Sequence, residues 1–393
     1  MLSEWKTVNL GDVCEVVRGG SPRPIIDYIT NDDDGVNWLK IGDVKETDKY
    51  FTHANEHIKR SGIPKTREVK KGDLILSNSM SFGRAFITLI DGYIHDGWLR
   101  LRCDENILRK EYLYYFLNTN IAQNQFKAVA TGSVVSNLKS DTVKAIKITL
   151  PPVEIQDKIV SILEVLDRKI VLNEQMNQNL NRQALAIFQK ELLCRDKLPA
   201  GWTTGCLLDI ASYLNGLAMQ KFRPAEGEIG LPVLKIKELR QGSCDTNSEL
   251  CSPNINPAYI VYDGDVIFSW SGSLLVDFWC GGICGLNQHL FKVTSEKYPK
   301  WFYYAWTSHH LERFVAIAAD KATTMGHIKR GDLAKAKVII PDSASIERIG
   351  GMLQPMYDLI TNNRIENRKL ASIRDVILPQ LMSGVINFSE VTL

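Results

Sequence analysis

The sequence repeats itself at a period of about 190 residues, which restricts the fold to two copies of one unit. Residues 5–13 (WKTVNLGDV) share their tryptophan, leucine and aspartate positions with residues 202–210 (WTTGCLLDI), 197 positions later. Residues 72–77 (GDLILS) match residues 264–269 (GDVIFS), 192 positions later. The shift falls slowly along the chain, as short loop deletions would produce. These ordered matches predict an internal duplication, whose copies a pseudo-two-fold axis would relate if equivalent segments of the two copies pair antiparallel.

Each copy begins with a module of about 150 residues that combines short strands with helices. Glycine and aspartate precede an apolar run in both copies, which is typical of a turn followed by a strand. The expected strands are residues 74–76, 145–150, 266–268 and 337–340, and the expected helices are residues 111–118 and 300–308. The pattern predicts a mixed fold of the α/β (α+β) class.

A long helix follows each module. After Pro151 and Pro152, apolar residues recur at steps of three and four, and residues 155–192 contain neither glycine nor proline. A helix of that length extends roughly 55 Å. The second copy repeats the pattern over residues 349–377 and is expected to stop near Pro379 and Gly384.

Asparagines interrupt the apolar face of both helices at matching positions. Asn173 and Asn177 correspond to Asn363 and Asn367, 190 positions later. A buried asparagine in a coiled coil must meet another polar group and thereby fixes the register. We therefore expect the two helices to pair as an antiparallel coiled coil that carries the modules at its two ends. The distance between the modules would then be comparable to one or two turns of DNA, at about 34 Å each. The alternative is that each helix only covers its own module.

Composition narrows the class of protein. The 393 residues are 45% hydrophobic and carry a net charge of +2, so the chain can form cores and any basic surface must be local. Residues 1–10 lack the apolar segment of a secretory signal, and the uncharged residues 278–291 are too few to span a bilayer. The eight cysteines form no CxxC pair. We expect a cytoplasmic chain without a membrane segment, in which Cys280 and Cys284 are buried thiols rather than a metal site or a disulfide.

Three kinds of polar segment are candidates for DNA contact. Residues 59–71 are basic and loop-like, although their counterpart at 254–262 is not. Loops follow the equivalent strands at 74–76 and 266–268, and polar stretches precede the last strand of each module. Cationic, hydroxyl and amide side chains can bind phosphate or read base edges. The residues chosen are Lys59, Arg60, Lys65, Arg67, Ser79, Arg84, Ser133, Lys139, Ser271, Ser273, Thr324, His327, Lys329 and Arg330. Solvated charged surface or ordinary polar turns are the alternative for each segment.

Catalytic motifs are sparse. The sequence contains no phosphate-binding loop, no adenine methyltransferase motif, and neither an HExxH nor a GxSxG pattern. Asp27, Asp43 and Lys45 loosely resemble the carboxylates and lysine of a metal-dependent nuclease, but the second copy has Arg240 in place of the lysine. A stand-alone nuclease and a coiled-coil interaction protein without a DNA function are thus the alternatives to DNA recognition.

Two segments carry a resemblance to a known family. They are the duplicated GD-x-I-x-S stretches and the junction from Ile148 through Pro151 and Gln156 to Asp167, where a strand, a proline and a long helix follow one another. Together with the duplication, they resemble the specificity subunit of type I restriction–modification systems. The family usually has adjacent Glu and Gln at this junction, whereas Ile155 intervenes here, and the second junction at Pro341 is more degenerate.

The resemblance implies a non-catalytic subunit that selects a DNA site. Residues 1–151 and 198–341 would be two target-recognition domains that each read one half of a bipartite, asymmetric site. Residues 152–197 and 342–393 would be the conserved helical regions that set the spacer and bind partners. Those partners would be two modification subunits, which use S-adenosylmethionine, and restriction subunits, which use ATP and Mg²⁺. This chain itself would hold no cofactor and no metal.

Overall fold

A computed structural model of the chain describes residues 5–44, 48–79, 83–130, 138–194, 197–320 and 327–386. It divides into two compact units, one formed by Met1–Asp167 with Ser372–Leu393 and the other by Arg168–Ala371. We call them unit 1 and unit 2. Each unit contains one of the repeated modules together with a stretch of both long helices.

The module of unit 1 contains three sheets. Its strands are β1 (Lys6–Asn9), β2 (Cys14–Arg18), β3 (Ile29–Thr30), β4 (Val36–Leu39), β5 (Tyr50–Phe51), β6 (Glu56–Ile58), β7 (Arg67–Val69), β8 (Leu74–Ser77), β9 (Ala85–Thr88), β10 (Gly92–Ile94), β11 (Trp98–Cys103) and β12 (Lys147–Leu150). The sheet orders are β1-β12, β3-β6-β4-β10-β7 and β2-β11-β8-β9-β5. The helices are α1 (Lys110–Leu117), α2 (Asn120–Ala130), α3 (Ser140–Lys144) and the long α4 (Val153–Phe188), which is followed by a π-helical turn, Gln189–Leu193.

The module of unit 2 repeats this layout with fewer strands. Its strands are β13 (Thr203–Cys206), β14 (Ser212–Asn215), β15 (Leu231–Leu234), β16 (Leu250–Cys251), β17 (Ile260–Val261), β18 (Val266–Ser269), β19 (Leu275–Phe278), β20 (Cys284–Leu286), β21 (Leu290–Thr294) and β22 (Lys337–Ile340). The sheet orders are β13-β22, β14-β21-β18-β19 and β16-β15-β20-β17. The helices are α5 (Leu207–Ile210), α6 (Ile236–Gln241), α7 (Lys300–His309), α8 (Leu311–Asp320), α9 (Arg330–Ala334) and the long α10 (Ser343–Met382).

The central strand of each module separates two cores because successive side chains point to opposite faces. In β8, Leu74 and Leu76 pack into the core that contains α1, while Ile75 packs into a smaller core with Trp98. In β18, Val266 and Phe268 likewise belong to the larger core, and Ile267 belongs to the smaller one. The predicted strands and mixed architecture are therefore confirmed in both copies.

The two long helices run antiparallel within each unit. In unit 1, Ile159 and Leu163 of α4 share a core with Leu378 and Leu381 of α10. In unit 2, ascending positions on α4 and the π-helical turn after it contact descending positions on α10: Asn173 bonds to Asn367, Asn177 bonds to Asn363, and Glu191 bonds to Arg348. Burying one Leu or Ile side chain contributes about 1.5–3 kcal/mol, so this apolar seam holds each module to its stretch of the pair. The predicted fold of duplicated modules with paired helices is confirmed.

Several residues that are identical or similar in the two copies cap turns. The carboxylates of Asp73 and Asp265 each accept a hydrogen bond at 2.8 Å from the backbone N–H three residues earlier. The adjoining Gly72 and Gly264 have φ values of 95° and 86°, which favour glycine. The repeated GD pair is thus a turn that starts the central strand.

Some boundaries differ from the expectations. The basic segment predicted as a loop contains a 3₁₀ turn, Arg60–Lys65, followed by β7. The strand expected over residues 145–150 begins only at Lys147, because α3 and its end occupy the preceding residues. Helix α10 continues through Pro379 and ends at Met382. None of the helices among the described residues is long and apolar enough to cross a membrane.

Candidate nucleic-acid interface

Two polar segments that are distant in sequence meet at one edge of unit 1. The backbone N–H of Leu138 donates to the carbonyl oxygen of Asn78 at 2.9 Å. Ser79 directly follows the strand end at Asn78, and the exposed Lys139 directly precedes α3. The fold therefore brings together the loop after β8 and the stretch before α3, which the sequence analysis had singled out separately.

Unit 2 has the same contact at the equivalent place. The N–H of Ile328 donates to the carbonyl oxygen of Trp270 at 2.9 Å, and Ser271 forms a backbone bridge with His327. The rings of Trp270 and His327 meet edge-on with centroids 6.1 Å apart. The exposed Lys329 occupies the position before α9, as Lys139 does before α3.

In unit 1 this edge carries a charged cluster around Asp96. The Asp96 carboxylate accepts a hydrogen bond from the Ser21 hydroxyl at 2.6 Å and a weaker one from Arg23 at 3.4 Å. Its backbone carbonyl accepts from Arg18 Nε at 3.1 Å and from Asn78 Nδ2 at 2.8 Å. The hydrogen bond from Ser21 lowers the pKa of Asp96 below its ordinary value of 3.8, so the carboxylate is ionised at neutral pH. The Arg23 side chain remains 81% exposed.

The basic turn of residues 60–65 lies against the same segment. A Cβ placed on Gly62 would lie 3.4 Å from the Pro22 ring, and one placed on Gly20 would lie 2.4 Å from the carbonyl oxygen of Lys65. The Lys65 ammonium donates to the Tyr28 hydroxyl at 2.8 Å and lies 4.9 Å from the centre of its ring. The turn thus adds positive charge beside Ser21–Arg23.

The remaining basic residues of this segment are exposed. The Lys59 ammonium donates to the Asp27 carbonyl oxygen at 2.9 Å, and Arg67 donates to the carbonyl oxygen of Thr66 at 2.7 Å. Arg60 begins the 3₁₀ turn on the surface. The oxygens that position the Lys59 and Arg67 side chains are uncharged. The positive charge of these side chains is therefore not neutralised by their partners.

In unit 2 the equivalent edge carries a neutral cluster. The indole Nε1 of Trp270 donates to Asn215 Oδ1 at 2.9 Å. His289 Nδ1 lies 3.1 Å from the Ser271 hydroxyl, and its Nε2 lies 3.4 Å from Gln288 Nε2. Ser271 is buried, whereas Asn215 is exposed. Amide, imidazole and indole groups replace the arginines and the carboxylate of unit 1.

The two clusters occupy equivalent positions in the strands. Arg18 and Asn215 end β2 and β14, Asn78 and Trp270 follow β8 and β18, and Asp96 and Gln288 stand two residues after β10 and β20. The same scaffold therefore presents different chemistry in each unit.

Other predicted contact residues lie around these edges. Arg84 precedes β9 half-buried, with its N–H donating to the Ser77 hydroxyl at 3.1 Å. Ser273 is exposed, and its carbonyl oxygen accepts from the Ser269 hydroxyl at 2.9 Å. Arg330 is exposed at the first position of α9. Ser133 and Thr324 lie outside the described residues.

Sequence reasoning missed part of both clusters. The residues not predicted are Arg18, Ser21, Arg23, Asn78, Asp96, Asn215, Trp270, Gln288 and His289. Most of them stand directly at the ends of strands that the repeat aligns. A comparison of side chains at aligned strand ends would have found them.

In the nuclease pattern, Asp27 is exposed and Asp43 has structural partners. Asp43 caps its own 3₁₀ turn by accepting from the N–H of Lys40 at 3.0 Å, and its other oxygen accepts from Asn55 at 2.8 Å. Glu238, its counterpart in the repeat, accepts from the N–H of Lys235 at 3.2 Å. Lys45 lies outside the described residues. Across the described ranges, no group of three or more histidine, cysteine or acidic side chains could hold a metal ion.

The cysteines highlighted by their spacing are buried thiols. Burial raises the pKa of the Cys280 thiol to about 11. Hydrogen bonding with Cys244 and burial raise the pKa of Cys284. Thiols held protonated in this way are poor nucleophiles and poor metal ligands.

The four seam asparagines meet in unit 2. Asn173 Nδ2 donates to Asn367 Oδ1 at 2.8 Å and to Glu366 Oε2 at 2.7 Å. Asn363 Nδ2 donates to Asn177 Oδ1 at 2.8 Å. Exchanging the equivalent positions of the two helices converts one pair into the other, so the pairing is symmetric within unit 2.

Comparison with known proteins gives one consistent family. The model for the type I restriction modification DNA specificity domain matches residues 2–182 and again 199–373. The MjaIX specificity subunit of Methanocaldococcus jannaschii is 24% identical over 98% of this chain and 94% of its own length. The HindI specificity subunit of Haemophilus influenzae is 20% identical over 98% of this chain and all of its own length.

A solved structure supports the fold. The crystal structure of the type I restriction–modification S subunit from M. genitalium superposes with a TM-score of 0.56, at 14% identity over 96% of each chain. The structural likeness and the two family matches agree on a chain made of two repeated modules.

This chain belongs to the family of type I restriction–modification DNA specificity subunits. The prediction of a DNA specificity subunit is confirmed, and with it the prediction of a recognition chain that leaves catalysis to other subunits. Neither the nuclease nor the coiled-coil protein without a DNA function is supported by these matches.

Proposed function

We propose that the two modules each read one half of a bipartite, asymmetric DNA site. The recognition domains would be residues 1–151 and 198–341, with the helical regions 152–197 and 342–393 between and after them. Different side chains at equivalent edges imply different half-sites rather than a palindrome. The site residues are those of the two edge clusters with the basic turn of unit 1.

One observation carries this proposal. In each unit, a backbone hydrogen bond of 2.9 Å joins the loop after the central strand to the stretch before the short helix α3 or α9. This contact gathers exposed cations and amides into one surface: Lys139 with Arg18 and Arg23 in unit 1, and Lys329 with Asn215 in unit 2. A surface that combines cations with hydrogen-bonding side chains suits duplex DNA, because phosphate contacts supply affinity and base contacts supply preference.

The asparagine pairs support a second part of the proposal, in which the paired helices set the distance between the half-sites. A buried Asn–Asn hydrogen bond is lost if one helix slides by a turn, so it fixes one register. A fixed register would give a fixed spacer. An insertion of four residues after Lys169 would move Asn173 and Asn177 out of register, and is expected to change the spacer or abolish assembly.

The family implies partners for this chain. We propose double-stranded DNA, two modification subunits and restriction subunits, which together act in the cytoplasm. S-adenosylmethionine, ATP and Mg²⁺ would be used by those partners.

Salt-dependent duplex binding by the purified chain tests the proposal. A recognition surface that neutralises several phosphates gives a binding constant that falls steeply with salt. On a log–log plot of the binding constant against salt concentration, each neutralised phosphate contributes about −0.9 to the slope. Binding without a salt slope would contradict the proposal. Mg²⁺-dependent cutting by the chain alone would favour the nuclease instead.

A further inference from the structure

We propose that the edge cluster of unit 2 recognises an adenine and that the edge cluster of unit 1 recognises a guanine. The inference rests on the proposed function and assigns base preference to named side chains. It follows from counting which hydrogen-bonding groups the protein uses internally and which it leaves for a ligand.

In unit 2, internal hydrogen bonds leave amide donors and amide acceptors for a ligand. Asn215 Oδ1 is taken by the indole of Trp270 at 2.9 Å, which leaves the Asn215 Nδ2 group as a donor. Gln288 Nε2 donates to His289 Nε2 at 3.4 Å, which leaves Gln288 Oε1 as an acceptor.

The imidazole fixes this arrangement. The His289 ring lies between the two polar groups, with Nε2 3.4 Å from the Gln288 amide nitrogen and Nδ1 3.1 Å from the Ser271 hydroxyl. These contacts orient the Gln288 amide.

The donor and the acceptor lie on adjoining backbone. A Cβ placed on Gly216 would lie 2.2 Å from the carbonyl oxygen of Asn287. Gly216 follows Asn215, and Asn287 precedes Gln288, so the two amides flank one close contact of the chain. In the major groove, adenine presents an acceptor at N7 beside a donor at N6. A protein donor beside a protein acceptor complements that edge.

In unit 1, the guanidinium groups at the same edge leave N–H donors. The oxygens of the Asp96 carboxylate accept from Ser21 at 2.6 Å and from Arg23 at 3.4 Å. Arg18 uses Nε for the Asp96 carbonyl oxygen at 3.1 Å. The other guanidinium donors of Arg18 and Arg23 have no partner among the described residues. Guanine presents two acceptors, O6 and N7, which a guanidinium contacts in a bidentate manner.

Isosteric variants of the full chain test the assignment. The recognised duplex is first defined by co-expressing the chain with its modification subunit and mapping methylated adenines. Each purine of each half-site is then replaced in turn, and binding is measured for the wild type, Asn215→Asp and Arg18→Gln. Asn215→Asp keeps the acceptor for Trp270, removes the free donor and adds a negative charge, so its preference is measured as the ratio of binding between duplexes.

The wild type is expected to discriminate about 5- to 150-fold against replacement of one adenine in one half-site and one guanine in the other. Asn215→Asp should abolish the adenine preference alone, and Arg18→Gln should reduce the guanine preference alone. Arg60→Gln, in the basic turn, is the matched control and should weaken binding to all duplexes by the same factor.

Two results would overturn the assignment. The first is an adenine preference in Asn215→Asp that equals the preference of the wild type. The second is a loss of preference at a base other than the expected purine. Both differ from failure of the proposed function, in which the wild type would bind all duplexes alike or none. Unchanged thermal unfolding of Asn215→Asp shows that the fold is retained. A second variant, Asn215→Arg, should convert the adenine preference to a guanine preference and so tests the assignment by a gain of preference.

Discussion

The two modules share the residues that cap their turns and differ in the residues that line their edges. Asp73 and Asp265 accept the same backbone hydrogen bond at the same distance. By contrast, Asp96 and Gln288 stand at equivalent positions and have a charged and a neutral side chain. In a duplicated chain, residues that the two copies share are those that the fold requires. Residues that differ at equivalent positions are those that can be adapted to different ligands.

The two units also form different ion pairs at the long helices. Arg374 of α10 bonds to Asp167 at 2.9 Å in unit 1, whereas Arg364 bonds to Asp277 at 2.6 Å in unit 2. Both arginines link a long helix to other elements of the same unit, yet they are not at matching positions of the repeat. The first pair joins the two long helices, and the second joins α10 to β19 of the module.

The largest expected effect is the loss of the Asp167 network in unit 1. Asp167 accepts from the Tyr115 hydroxyl at 2.6 Å and from Arg374, and lies 3.6 Å from the ammonium of Lys49. Asp167→Ala leaves two largely buried cations without this carboxylate and should lower the free energy of unfolding by about 3–5 kcal/mol in a urea titration. Asp157 lies on the same helix and forms an exposed pair with Arg109, so Asp157→Ala should have a much smaller effect. Equal losses from both variants would contradict the distinction.

The next effect tests whether the framework is equivalent in the two copies. A Cβ on Gly19 would lie 2.1 Å from the carbonyl oxygen of His95, and one on Gly216 would lie 2.2 Å from that of Asn287. Since the backbone must move in both cases, Gly19→Ala and Gly216→Ala should each cost about 3 kcal/mol. Gly331→Ala, with nothing within 4 Å, is the control and should stay within about 0.5 kcal/mol. A large loss in only one module would show that the close approach is not a shared requirement.

The two asparagine pairs allow the same substitution to be compared on each long helix. Asn173→Ala removes the donor to Asn367 and Glu366 and should cost about 2 kcal/mol. Asn363→Ala should cost a similar amount, because Asn363 donates to Asn177.

The pH dependence should distinguish these two variants. The hydrogen bond from Asn173 lowers the pKa of Glu366 below its ordinary value of 4.5. A carboxylate with a lowered folded-state pKa stabilises the protein above the unfolded pKa, and this stabilisation is lost as the pH falls through the folded pKa. Stability below pH 4.5 should therefore fall less steeply in Asn173→Ala than in the wild type, while Asn363→Ala keeps the wild-type slope. The same slope in both variants would contradict the pairing of Asn173 with Glu366.

The smallest effect concerns the basic turn, which only unit 1 possesses. Lys59→Gln should weaken binding to all duplexes alike and reduce the salt slope by about one, since one phosphate contact is lost. Ala258→Lys, on the exposed equivalent turn of unit 2, should increase the slope by a similar amount. A change in sequence preference from Lys59→Gln would indicate base contact rather than phosphate contact.

The sequence predicts the framework because the framework has narrow chemical requirements. A turn with φ near 90° needs glycine, and its cap needs a carboxylate, so the pair at Gly72 is visible in both copies. The long helices are likewise visible from apolar spacing, and Asn173 is visible because it interrupts that spacing. Each of these features is local in the chain.

The edge clusters could not be predicted from motifs. The contact that assembles them joins the backbones of Leu138 and Asn78, which any side chains would permit. Asp96 and Arg18 meet through strand pairing across 78 residues, so no local spacing relates them. The nuclease pattern, which was only an alternative, arises because a carboxylate that caps a turn, as Asp43 does, is as local in sequence as a catalytic one.

Genome-wide mapping of methylated adenines, with this chain co-expressed with its modification subunit, is the decisive test of recognition by two different half-sites. Two dissimilar recognition edges predict two different half-sites separated by an unspecified spacer of constant length. Methylation at one uninterrupted sequence, or at a palindrome with identical halves, would contradict the account.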